Sequence, residues 1–123
     1  MVAGGGATLY RAALAARESA QRRGADEAAA AGWKAVLSAC NAPLQQIARN
    51  SGLQVGKAEL LELSGQAGST LDFATGEVID ARKAGVLDPV KVVVAALTHA
   101  ASTAAQLVTA ESVVVNVPDE AKS

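Results

Sequence analysis

Along the first half of the chain, apolar side chains return every three to four positions, the period of helices with one buried face. From Ala7 to Arg23, Leu9, Ala13, Ala16 and Ala20 form one stripe, while Arg11, Glu18 and Arg22 share a polar side. Glu18 and Arg22 stand four apart in the favourable order for an ion pair. Gly24 ends this helix and Asp26 can cap a second, about Glu27 to Cys40, with Trp33, Val36, Leu37 and Cys40 on one face. Asn41 and Pro43 mark a break and restart. A third helix follows with Leu44, Ile47 and Ala48 inward, stopped by "NSG" at 50–52. A shorter helix is expected around Val55 to Leu63.

The period then changes. "LDF" and "EVI" flank "ATG" at 74–76, which predicts two short strands joined by a three-residue glycine-bearing loop. A helical turn leads to Gly85, and a long helix runs from Pro89 to about Thr109. In "AGVLDPVK", Asp88 and Pro89 have the chemistry of a helix cap and first turn. The segment "SVVVNVP" at 112–118 reads as a strand stopped by Pro118. The hairpin arms offer it little sheet, and a lone apolar strand with bare edges invites another chain. No internal repeat or linker is visible, so the pattern supports one domain, or part of one, over 1–118 and a polar tail at 119–123.

Composition narrows this picture. Half of the 123 residues are apolar, yet only 2% are aromatic, so alanine must build a thin core of closely approaching helices. The net charge is −1 with the signs mixed, and no basic stripe or aromatic platform suits nucleic acid. A single cysteine excludes an internal disulfide and fits a reducing compartment. The start "MVAGGGATLY" lacks the regions of a signal peptide. Val92 to Ala110 carries no Asp, Glu, Lys or Arg. Thr98, His99, Ser102, Thr103, Gln106 and Thr109 interrupt it, so a helix buried on several sides is expected rather than a membrane span.

Few residues carry chemistry by pattern alone. The glycines of "AGGG" at 3–6 allow close backbone approach to a ligand, or simply a flexible start; neither a phosphate loop nor GxGxxG is present. Asp88 is a cap, or a cap that also holds a ligand. His99 reads as a helix-packing histidine and Cys40 as a small buried hydrophobe. Ser38, Cys40 and His99 form no recognisable triad, and Glu77 and Asp80 read as solvated.

Four motifs in order say more: "VAGGGATLYRAA", "NAPLQQIARNSG", "FATGEVIDARKAGVLDPVKV" and "ALTHAASTAAQLVTAESVVVNVP". Together they resemble the C-terminal part of group I (bacterial-type) chaperonins, from Val2 to about Pro118. The resemblance implies a mainly α fold: the second half of an equatorial domain, with a small β-hairpin and a C-terminal β-strand. It implies an ATP/ADP site in which Gly5 approaches the nucleotide through its backbone. Asp72, Phe73 and Ala74 would take the adenine side, and Asp88 the ribose hydroxyls.

This chain has "LDFATGE" where the family usually has "YNAATGE". Ionised Asp72 only accepts hydrogen bonds, and Phe73 replaces a small residue, to stack on a purine or crowd it. The family's phosphate- and magnesium-binding loops, apical domain and water-orienting aspartate lie on other sequence, so no catalytic or metal residue is assigned here. ATP hydrolysis by this chain alone is not expected. The implied partners are other subunits of a homo-oligomeric ring, a co-chaperonin, and unfolded clients gripped by the apical domain, in the cytoplasm. The alternatives are a non-catalytic module that self-associates or docks on chaperonin subunits, and a truncated remnant without activity of its own.

Overall fold

The computed structural model describes residues 1–24, 26–110 and 114. The chain divides into two compact units, Met1–Val93 and Val94–Ser123. The architecture is mainly helical with small strands, as the resemblance implies. The C-terminal strand expected at 112–118 and the tail at 119–123 lie outside the described residues, Val114 apart.

The first unit begins with a two-residue strand, β1 (Val2–Ala3), then a glycine turn and α1 (Ala7–Arg23). Gly24, in the left-handed region, ends α1, and Glu18 and Arg22 meet at 3.9 Å on its exposed side. Helix α2 (Glu27–Ala39) opens on Asp26, whose carboxylate accepts the Ala29 amide at 2.7 Å. Helix α3 (Ala42–Asn50) carries Pro43 in its first turn, and α4 (Lys57–Gly65) follows. Strands β2 (Ser69–Leu71) and β3 (Val78–Asp80) pair antiparallel, with Thr70 opposite Ile79. A short helix, α5 (Ala81–Ala84), leads to β4 (Leu87–Asp88), which returns to pair with β1, Val2 opposite Asp88.

Two expectations need correction here. The hairpin arms are not "LDF" and "EVI": the strands end at Leu71 and resume at Val78, leaving a six-residue connection, Asp72–Glu77. The cause is the polar residue at 72. Its carboxylate accepts the Ala74 amide at 2.9 Å, its carbonyl accepts the Gly76 amide at 2.7 Å, and its own amide donates to Glu77 at 2.8 Å. Those bonds turn the backbone out of the strand before Phe73. Asp80 is not merely solvated: it caps α5 by accepting the Lys83 amide at 2.9 Å. That bond, helped by the nearby Lys83 and Arg82 charges, holds its carboxyl below the ordinary aspartate range.

The core is small, as the alanine content implies. Ala3, Ala7, Leu44, Leu63, Leu71 and Ala81 form its buried centre, with Tyr10, Phe73 and Leu87 packed around it. Helix α1 reaches across to α4 through Arg11, whose Nη1 donates to the carbonyls of Leu63 at 3.2 Å and Gln66 at 3.4 Å. A side chain from one helix thus satisfies the open carbonyl end of another. Burial pushes this guanidinium below its ordinary pKa. Helix α2 contributes less than its pattern promised: none of its residues is buried, and Trp33 is 44% exposed. Trp33 and Leu37 instead line an open groove of about 690 Å³ with Tyr10, Ala13 and Leu14 of α1.

The last described helix is α6 (Val90–Thr109). It starts at Val90, where the Pro89 carbonyl accepts the amides of Val92 and Val93. None of its residues is buried, against the expectation of a helix enclosed on several sides, and His99 is exposed rather than packed. By length and composition α6 is long and apolar enough to cross a membrane.

The glycines separate space from backbone geometry. Gly6 and Gly24 both have positive φ, +80° and +60°. A Cβ on Gly24 would meet nothing, whereas one on Gly6 would lie 2.7 Å from the Leu44 nitrogen. Gly24→Ala should therefore cost about 1 kcal/mol, and Gly6→Ala about 3 kcal/mol or more. Urea unfolding of the two variants measures the difference; equal losses would mean α3 does not press on the glycine turn.

Candidate functional site

The turn between β1 and α1 is built from Gly4, Gly5 and Gly6, and each faces a different neighbour. Gly4 is buried. A Cβ there would sit 3.3 Å from the carboxylate atoms of Asp88. Gly5 has φ +67°, and its Cβ would sit 3.0 Å from both Thr70 Oγ1 and Phe73 Cε2. Gly6 closes against the start of α3 at Leu44. No residue with a side chain fits this turn without moving a wall.

Most of the turn's polar backbone is spoken for. The Ala3 carbonyl accepts from Thr8 Oγ1 at 2.8 Å, and the Gly4 amide donates to Val86 at 2.9 Å. The Gly4 carbonyl accepts both Thr70 Oγ1 at 2.8 Å and the Ala7 amide at 3.3 Å. The Gly6 carbonyl accepts the Tyr10 amide at 3.1 Å. Gly5 differs. Among the described residues its N–H and C=O make no hydrogen bond, and it is partly exposed. A peptide held in place with its own polar groups open offers a fixed donor and acceptor to water or to a ligand.

Asp88 does not act as the helix cap its sequence suggested. It pairs in β4 with Val2, and its side chain bonds to no residue among those described. Its strand geometry points the carboxylate at Gly4 rather than at the first turn of α6. Both carboxylate oxygens are therefore available to accept from hydroxyls.

Asp72, Phe73 and Ala74 occupy the connection rather than the arms of the hairpin. Asp72 spends one oxygen on the Ala74 amide, which leaves the other as an acceptor. Phe73 turns its ring onto Gly5 and the core edge; Ala74 is exposed. The fold thus brings Phe73 against Gly5 and Asp88 against the adjacent Gly4. No hydrogen bond runs from Asp88 to the 72–74 loop among the described residues. The link passes through Gly4 and Thr70, and Thr70 carried no signal in the sequence. It is fully buried, one of two buried polar residues, Ser69 and Thr70, in β2.

Among the described residues no group of three His, Cys, Asp or Glu side chains gathers as a metal site. Asn41 Oδ1 and Glu59 Oε2 are buried without a partner there, away from the glycine turn in sequence and lining none of its contacts. Cys40 is buried, as expected, and burial raises its thiol pKa. A raised thiol pKa means less thiolate at neutral pH.

A sequence model of the TCP-1/cpn60 chaperonin family matches residues 1–118. The match includes the glycine turn, the 72–74 connection and Asp88.

Cys40 should be alkylated by iodoacetamide more slowly in the folded chain than in urea at the same pH. Equal rates would show the thiol to be open and unshifted.

Proposed function

The chain belongs to the TCP-1/cpn60 chaperonin family, whose members assist protein folding, and on that footing we propose that it forms one wall of a nucleotide site. The wall takes the nucleoside of ATP or ADP in a group I equatorial domain, and the same helices contribute to ring packing. The single observation that carries the reading is Gly5, whose N–H and C=O make no hydrogen bond among the described residues while the carbonyls of Gly4 and Gly6 on either side are both taken. The Asp88 carboxylate stands beside Gly4, and the 72–74 loop closes on Gly5.

The residues present fit a nucleoside better than a triphosphate. Asp88 accepts the two ribose hydroxyls as charge-assisted hydrogen bonds. The free oxygen of Asp72 accepts from the exocyclic amine of adenine; it has no proton to give a ring nitrogen, so purine recognition is one-sided. Phe73 and Thr70 cover the side of Gly5 on which a Cβ would project, so a nucleoside meets the peptide face instead. The outer face of the Phe73 ring is then a stacking surface for the base. When bound, ATP supplies the phosphoryl-transfer free energy that drives a chaperonin. The chain's own residues only bind and orient the nucleoside.

Ring subunits, a co-chaperonin, unfolded clients and a cytoplasmic setting belong to the complete machine and are proposed with it. One observation favours a second reading. Val92, Val94, Leu107 and Val108 of α6 are more than half exposed. A non-catalytic module that associates with itself or with chaperonin subunits would cover that face. Sedimentation at several concentrations separates the two, because only the module forms discrete assemblies without nucleotide.

Adenosine titrated into the labelled chain should shift the NMR signals of Gly5, Asp72, Phe73, Ala74 and Asp88. Asp88→Asn should weaken binding about tenfold. Magnesium and ATP should give no turnover above background. Shifts confined to other residues, or none at millimolar adenosine, would overturn the reading.

A further inference from the structure

The two sides of the proposed cleft are carried by sequence far apart: the glycine turn at 4–6 and the loop at 72–74. The Phe73 ring packs across to Gly5, and one side-chain hydrogen bond ties the two sequences together. Thr70 lies in β2, two residues before Asp72, and is 0% exposed. Its hydroxyl donates to the Gly4 carbonyl at 2.8 Å, a bond across 66 residues of sequence. The same oxygen stands 3.0 Å from the point where a Gly5 Cβ would lie. Gly4 in turn is tied to Val86 and lies against Asp88. A continuous path of contacts thus runs from the Asp88 carboxylate through Gly4 and Thr70 to the loop that begins at Asp72.

We propose that Thr70 is a positioning residue of the nucleoside cleft: its buried hydroxyl fixes the glycine turn, and Asp88 with it, at a set separation from the 72–74 loop. The proposal rests on the nucleoside reading above. Thr70 touches no ligand itself. It acts by choosing where the open Gly5 peptide stands. Two features make a hydroxyl necessary. The Gly4 carbonyl is buried, so water cannot replace a lost donor, and the remaining Ala7 amide is the longer of its two partners at 3.3 Å. The turn also has three consecutive glycines, so nothing in its own torsions holds it.

Thr70→Val keeps the volume and branching and removes only the donor. It should bind adenosine about fivefold more weakly or worse, with a dispersed NMR spectrum and an unfolding midpoint that still reports a folded chain. Amide exchange at Gly5 should accelerate. Thr70→Ser, which restores the hydroxyl, should return affinity to within about twofold of the parent. If Thr70→Val does not fold, Thr70→Ser is compared with Thr70→Ala, both smaller than threonine, and the same loss is expected only in alanine. A folded Thr70→Val or Thr70→Ala chain with parental affinity would overturn the role of Thr70 and leave the cleft standing. Failure of the parent itself to bind adenosine would overturn the cleft, and this role with it.

Discussion

The glycine turn at residues 4–6 is possible only because nothing larger than hydrogen projects from it toward three close walls. Leu44 of α3 stands against Gly6, Phe73 and Thr70 against Gly5, and Asp88 against Gly4. This steric constraint sets the start and direction of α1. From there Arg11 reaches the carbonyl end of α4 and Ser69 Oγ at 3.5 Å. The helix thereby holds the approach to β2, and β2 carries Thr70 back to the turn. The unit closes on itself at a turn where a side chain would prevent closure. A thin, alanine-rich core tolerates this because close backbone approach, more than bulky side chains, supplies its packing.

Helix limits were legible because local chemistry sets them. Gly24 and Asp26 separate α1 from α2, and Gly85 closes α5, whatever the rest of the chain does. The hairpin was legible in kind but not in register. Asp72 bonds its own loop through carboxylate, carbonyl and amide at once, and a hydrophobic alternation cannot display that. Strands of two residues, β1 and β4, fall below any period, so the pairing that turns Asp88 from a helix cap into a neighbour of Gly4 was invisible. Composition does not fix burial: α6 is apolar, yet no residue of it is buried.

The candidate residues follow from the resemblance to chaperonins and hardly at all from pattern. Gly5, Phe73 and Asp88 do converge on one turn, and the 72–74 loop adjoins it. Thr70 escaped because a threonine in a short strand is ordinary; only its complete burial and its partner across the chain distinguish it. The departures from the family's usual motif also acquire physical content. Asp72 has one oxygen committed to its own loop, and the Phe73 ring fills the space beside Gly5. In the proposed nucleoside wall, both changes narrow recognition without removing the Gly5 and Asp88 contacts.

The most direct test of the glycine constraint is the proton NMR environment of Gly5. A Phe73 ring carbon 3.0 Å from where a Gly5 Cβ would lie must produce strong cross-relaxation between the Gly5 α-protons and the Phe73 ring protons. Ring current must also displace those α-protons from ordinary glycine positions. The account predicts both effects, together with an inequivalent, well-resolved α-proton pair at Gly4. Averaged glycine signals at random-coil positions, with no cross-peak to Phe73, would contradict it.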